Sequence, residues 1–249
     1  MSFDCFDVSV AEGVATVTMN RPPVNAQNRA FREEITEIFD GFSDDPDVRV
    51  IILTGSGKVF SAGADLKERV DVTAERGRYI RHNRVTRESF YAITDCAKPV
   101  IAAVNGPAIG AGFGLATHAD MAICSDTTYA QMPEVDFGLN GGGRTLERFF
   151  PRAVARYLYF TAAKIPAEDL LRFGVVSEVV SQDRLMPRAQ EIAAVVASKN
   201  PQALERAKYA FNTGAELPFR DAYRFEQSIT AELSKAKETQ LAQQAFGQK

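Results

Sequence analysis

The sequence predicts an α/β domain built on a mostly parallel sheet, followed by an all-helical tail. Three observations predict it. Short apolar runs alternate with helical periodicity up to about residue 180. Two of those runs, 48–54 and 99–104, are almost continuously apolar, as strands covered on both faces are. From Leu185 onward the periodicity is helical alone.

The elements follow in order. Residues 6–18 alternate around Glu12-Gly13, with Phe6, Val8 and Val10 on one arm and Val14, Thr16 and Thr18 on the other. This reads as a β-hairpin turning at the glycine. Pro22 and Pro23 then break the ladder. Asn28 is placed to cap a helix running to about Asp40, with Phe31, Ile35, Ile38, Phe39 and Phe42 on its apolar face. A turn at 43–47 leads into strand 48–54, which Gly55-Ser56-Gly57 ends. A glycine-centred turn spans 60–67. A helical segment from about Thr73 to Asp95 carries Ile80, Val85, Phe90, Tyr91 and Ile93. Strands 99–104 and 121–124 flank a glycine-rich turn and a helix. Loop 125–134 leads to a second glycine-rich turn over 135–143. Helices are expected over 144–149 and 153–161, and another from Pro166 to Gly174, before strand 175–180. The tail carries Ile192, Val195 and Val196, then Leu204, Tyr209 and Phe211, then a helical run over 219–245. Such a tail either packs back on the domain or makes subunit contacts.

Length and charge bound the function. A chain of 249 residues suits one large domain with or without an appendage. A net charge of −3 offers no basic face to nucleic acid or to an anionic membrane. Cys5, Cys96 and Cys124 form no CxxC pair, so buried thiols in a reducing cytoplasm are expected. The N-terminus lacks the basic and apolar regions of a signal peptide, and no run is apolar and long enough to span a bilayer. No metal-ligand cluster is visible, and neither His82 nor His118 belongs to a triad pattern.

The most informative stretch is 104–120. Gly106, Gly110, Gly112 and Gly114 lie between strand and helix. A strand, a glycine turn and a helix N-terminus together present free backbone N–H groups to an anion, a phosphate or the oxyanion of a polarised carbonyl. The same glycines also suit a tight, merely structural connection. Neither GxGxxG after the first strand nor GxxxxGK[ST] is present, which argues against a nucleotide site.

Three stretches taken together resemble the enoyl-CoA hydratase/isomerase family, the crotonases: Phe60-Ser-Ala-Gly-Ala-Asp-Leu-Lys-Glu68, Val104-Asn-Gly with Gly110-Ala-Gly112, and Met132-Pro-Glu134 before its glycine turn. The resemblance extends to 20–26 and 50–55. It implies a crotonase (ClpP-like) spiral of ββα units over 1–190, with a helical C-terminal region over 191–249 used in assembly as a homotrimer or a dimer of trimers. It implies an acyl-CoA substrate, with coenzyme A entering as part of that substrate and no other cofactor. By position, the thioester oxygen is held by the N–H groups of Ala64 and Ala111. Contacts to the acyl-CoA are implied for Val24, Ala26, Ala62, Ala64, Asp65, Leu66, Lys67, Ala111 and Gly114. Lys67 also reads as an ordinary surface lysine.

Hydratases of this family use two glutamates. The later one is present as Glu134; the earlier one aligns with Gly114, which cannot transfer a proton. A single carboxylate can still move a proton from one carbon of an allylic system to another. Double-bond isomerisation is therefore expected ahead of hydration. The alternatives are hydration or hydratase-lyase action by Glu134 alone, hydrolysis of a cyclic β-keto acyl-CoA, and a non-catalytic acyl-CoA-binding protein. Asp136 shares a face with Glu134 if that segment is extended, and is otherwise a solvated loop acid. Asn140 either donates to substrate or caps the next helix. His118 is expected to pack within its helix. Arg76, Arg78, Arg81, Arg84 and Arg87 read as a solvated face or as partners of an acidic acyl group.

Overall fold

A computed structural model describes residues 3–68 and 77–247. The chain forms two compact units, Met1–Ser198 and Lys199–Lys249. In the first, a six-stranded sheet is built from β1 (Phe6–Ala11), β2 (Val14–Met19), β3 (Val50–Gly55), β4 (Val100–Val104), β6 (Met121–Ser125) and β9 (Glu178–Val180), in that order. The β1–β2 hairpin is antiparallel and every later pairing is parallel. Both hairpin-turn residues, Glu12 and Gly13, have positive φ, which matches the twist of the flanking strands.

The continuous apolar strands have the reason expected of them. Ile51 and Leu53 of β3 face one core with the helix α1 (Arg29–Asp44). Val50 and Ile52 face a second core with Leu185, Ala189 and Ala193 of the helix Leu185–Ala197. That helix runs across the boundary expected at 190/191 because its apolar stripe belongs to the sheet. Asn28 caps α1 by accepting from Phe31 N at 3.0 Å, as expected, but the helix continues to Asp44. All three cysteines are buried, and none is in a disulfide. Burial pushes the Cys5 and Cys124 thiols up to about 11 and about 12, so both are protonated and unreactive at neutral pH.

Other expectations are corrected. Val8 and Val10 are exposed, because β1 is an edge strand that turns only Phe6 into the core. The helix expected from Thr73 is α2, described from Arg78 to Asp95; its expected start at 73–76, including Arg76, lies outside the described residues. Ile80 is 76% exposed, since α2 buries Ser89, Ala92 and Ile93 instead. The strand expected at 175–180 is confined to Glu178–Val180, because Val175 N and Val176 N bond back to Leu170 O.

A second, small sheet had no counterpart in the sequence reading. It comprises β5 (Ala108–Ile109), β7 (Tyr129–Gln131) and β8 (Ile165–Pro166). Two single bridges, Ser61 to Ala108 and Gln27 to Ala64, continue it. The second unit contains three helices, Pro201–Gly214, Phe219–Leu233 and Lys237–Gly247. Asn200 caps the first of them, and an Arg206–Glu232 ion pair at 2.7 Å joins it to the second. No helix among the described residues is long and apolar enough to cross a membrane.

Candidate active site

The small sheet assembles the site. The helix α3 (Ala111–His118) begins two residues after β5, and Ala64 lies three residues beyond the bridge at Ser61. Both turns therefore leave the same sheet side by side. Two glycines permit the approach. Gly63 has φ +81°, and a β-carbon there would strike Ile109 O and lie 3.1 Å from Ala111 N. Gly110, the residue before α3, has φ +51° and ψ −119°. Neither Ala64 N nor Ala111 N has an acceptor among the described residues, and both residues line one cavity of about 600 Å³. The positive end of the α3 dipole adds to the field there. Replacing Gly63 with Ala forces the two turns apart. The expected result is a loss of at least tenfold in kcat/KM for an acyl-CoA substrate, read by steady-state kinetics.

Glu134 reaches the same point from β7. Gly110 N donates to Gln131 O at 2.8 Å, which locks β5 to β7 and delivers the segment that follows. The Glu134 side chain passes Gly141, whose β-carbon position is 3.9 Å from Cγ. It ends with Oε1 2.8 Å from the β-carbon position of Gly110. Its Oε2 is sealed from solvent. The segment Glu134–Phe137 is a 3₁₀ turn rather than an extended strand, so Asp136 does not share a face with Glu134 and lies exposed at the rim. Asn140 does not cap the next helix, Gly143–Phe149, whose N-cap is Gly142. Its Oδ1 instead faces the Tyr159 hydroxyl at 3.0 Å. That hydroxyl accepts from Gly141 N at 2.9 Å and shares its hydrogen between Asn140 Oδ1 and Gly141 O.

The far wall comes from α2. Tyr79, Asn83, Thr86 and Phe90 recur at helical spacing and line the cavity, while Arg78, Arg81, Arg84 and Arg87 are exposed and line none of it. His118 packs as expected. Its Nδ1–H donates to Gly114 O at 2.7 Å, and its ring stacks on Phe90 at 5.0 Å. Burial depresses its pKa, which keeps the imidazole neutral. His82 is partly buried, with Nδ1 3.4 Å from Arg32 Nη1.

The residues implied as acyl-CoA contacts divide. Ala62, Ala64, Leu66, Ala111 and Gly114 line the cavity; Val24, Ala26, Asp65 and Lys67 do not. The Asp65 carboxylate pairs with Arg21 at 2.8 Å and accepts from Lys67 N at 3.0 Å, bracing the turn that carries Ala64. Burial pushes this carboxyl up, but the hydrogen bonds from Arg21 and Lys67 N outweigh it and hold the group below its usual range. Its contribution to stability is therefore present above the ordinary carboxylate pKa and lost as pH falls through the lower folded value. Unfolding free energy is expected to fall more steeply below about pH 4 in the wild type than in Arg21→Met, read by urea titration at several pH values.

The Ala111 N–H at the start of α3, the Ala64 N–H of the neighbouring turn and the Glu134 carboxylate thus line one cavity. The family model for enoyl-CoA hydratase/isomerase matches residues 9–249. The chain belongs to the enoyl-CoA hydratase/isomerase family. Its fold is that of the crotonases. The crystal structure of enoyl-CoA hydratase from Bacillus anthracis superposes with a TM-score of 0.91 at 29% identity, covering 98% of this chain and 96% of that one. Human enoyl Coenzyme A hydratase domain-containing protein 3 gives 0.93 at 28%, covering 98% and 97%. Among curated relatives, (7aS)-7a-methyl-1,5-dioxo-2,3,5,6,7,7a-hexahydro-1H-indene-carboxyl-CoA hydrolase of Rhodococcus jostii (strain RHA1) is 39% identical, over 90% of this chain and 87% of that protein. Carnitinyl-CoA dehydratase of Escherichia coli (strain K12) is 37% identical, over 86% and 83%. The two curated relatives are CoA-thioester enzymes named for hydrolysis and for dehydration.

Proposed function

We propose that this crotonase acts on an unsaturated acyl-CoA, forming a thioester enolate and moving a double bond. The observation that carries the reading is the cavity wall where the N–H groups of Ala64 and Ala111, neither with an acceptor among the described residues, face the Glu134 carboxylate. Removing a proton beside a thioester places negative charge on its oxygen, and preorganised donors with a helix dipole stabilise that charge. The donors are Ala64 N and Ala111 N. Glu134 takes a proton from C2 of a 3-enoyl ester and returns it to C4, so the double bond moves from C3–C4 to C2–C3. Ala62, Leu66 and Gly114 flank the acyl thioester; Val24, Ala26, Asp65 and Lys67 lie along the coenzyme. Coenzyme A arrives with the substrate, and the step needs no metal or redox group. The protein acts in the cytoplasm as a trimer or a dimer of trimers.

A second reading is favoured by the name of the Rhodococcus jostii relative, a hydrolase. Water adds to the ketone of a cyclic β-keto acyl-CoA and the bond to the α-carbon breaks. The electron pair passes to the thioester enolate, and the proton that Glu134 takes from the attacking water goes to the α-carbon, leaving a ring-opened carboxylic acid. One NMR experiment in D₂O separates the two. Migration of the double bond of a 3-enoyl-CoA, with no hydroxyacyl product from crotonyl-CoA, is the expected result. Ring opening of a cyclic β-keto acyl-CoA in the absence of migration would overturn it in favour of the second reading.

A further inference from the structure

Gly110, just before α3, and Gly114, within it, both line the cavity, with Gly114 N bonded to Gly110 O at 3.0 Å. Each is covered by a different side chain. Glu134 Oε1 covers Gly110, as described above. The Phe90 ring covers Gly114: a β-carbon there would lie 2.9 Å from Cζ and 3.0 Å from Cε1. Those separations are too short for any side chain unless the ring shifts. The ring is held from behind, because His118 stacks on it with an interplanar angle of 18° while its Nδ1–H donates to Gly114 O. Tyr91 also meets His118 edge-on, with ring centroids 6.1 Å apart. Phe90, Gly114 and His118 thus form one packed corner of the cavity, about 5–6 Å along the helix from Glu134.

We infer that Phe90 is a specificity-determining residue that occupies the position of a second acid–base group beside Glu134 and keeps water out of it. The wall is apolar and aromatic where a carboxylate and a nucleophilic water would otherwise sit. Proton transfer by Glu134 is left as the only acid–base step at that end of the cavity. This inference rests on the Glu134 reading above. It adds that the restriction lies in the Phe90 ring as well as in the missing side chain at 114. Gly114→Glu alone therefore does not restore water addition, because the ring fills the space.

The test compares Gly114→Glu, Phe90→Ala/Gly114→Glu and Phe90→Ala/Gly114→Gln, with crotonyl-CoA in ¹⁸O-labelled water. In the carboxylate double variant the water oxygen bonds to C3, its proton passes to the carboxylate at 114, and Glu134 delivers a proton to C2. The expected result is labelled 3-hydroxybutyryl-CoA formed at least tenfold faster by the Glu double variant than by the Gln double variant or by Gly114→Glu alone. Equal rates in the two double variants, or full activity in Gly114→Glu alone, would overturn the inference. Phe90→Ala by itself gives an independent readout if the double variants do not fold. Its KM for an enoyl-CoA branched at C2 is expected to fall at least fivefold relative to wild type, and an unchanged KM would count against the assigned corner. Deuterium exchange at C2 in the wild type reports separately on Glu134, so failure of that reading is distinguishable from failure of this one.

Discussion

Replacing Glu134 with Gln is expected to lower kcat about 10³–10⁴-fold, while the dissociation constant for an acyl-CoA changes little. The substitution keeps the size and planarity of the side chain, and Glu134 already lies with Cγ against Gly141 and Oε1 against Gly110. What it removes is the ability to accept and return a proton. Among the described residues, no other carboxylate is placed to take over that role. Asp136 is exposed at the rim and turned to another side of its 3₁₀ segment, and residue 114 is glycine under an aromatic ring. Binding is expected to survive because the oxyanion donors are backbone groups on other elements. Steady-state kinetics and calorimetric titration with an acyl-CoA check both halves. Turnover within tenfold of wild type would remove Glu134 from the mechanism.

Replacing Ala111 with Pro is expected to reduce kcat about 10²–10³-fold, the loss of roughly 3–4 kcal/mol that follows when one oxyanion donor is deleted. Ala111 is the first residue of α3. Proline is tolerated at that position, because its fixed φ suits a helix start and the missing N–H has no helical partner in any case. The substitution therefore removes one donor, and thermal unfolding monitored by circular dichroism is expected to shift by only a few degrees. A full-rate Ala111→Pro enzyme would show that the thioester oxygen is not held at α3. A collapse in stability would instead mean that Ala111 N–H supports the fold.

The main sheet was legible because its strands announce themselves. Residues 50–53 and 100–104 are apolar at every position, since each is covered on both faces. The glycine turns were legible as turns, and resemblance supplied Ala64, Ala111 and Glu134 as a set. The small sheet was not legible. Strands of two or three residues have no period, and the pairing of Ile109 with Gln131 joins segments more than twenty residues apart. Yet that pairing is what brings Glu134 to Gly110. Which face of α2 lines the cavity was missed for another reason. Tyr79, Asn83, Thr86 and Phe90 recur at helical spacing, but three of the four are polar or amphipathic. An apolar-face reading therefore favoured Ile80, which is exposed. For Asp136 the sequence left two placements open, and the 3₁₀ turn selects the solvated loop acid, because a 3₁₀ turn and an extended strand differ in backbone torsion without differing in residue type.

The central claim is that one carboxylate, Glu134, exchanges a proton beside a thioester whose oxygen two backbone donors hold. Deuterium incorporation at C2 of butyryl-CoA in D₂O tests it most directly, because a saturated ester can neither isomerise nor take up water. The account predicts exchange at C2 with the wild-type protein and at least 10³-fold slower exchange with Glu134→Gln. Exchange at equal rates in the two proteins, or no exchange by a wild type that binds the ester, would contradict it.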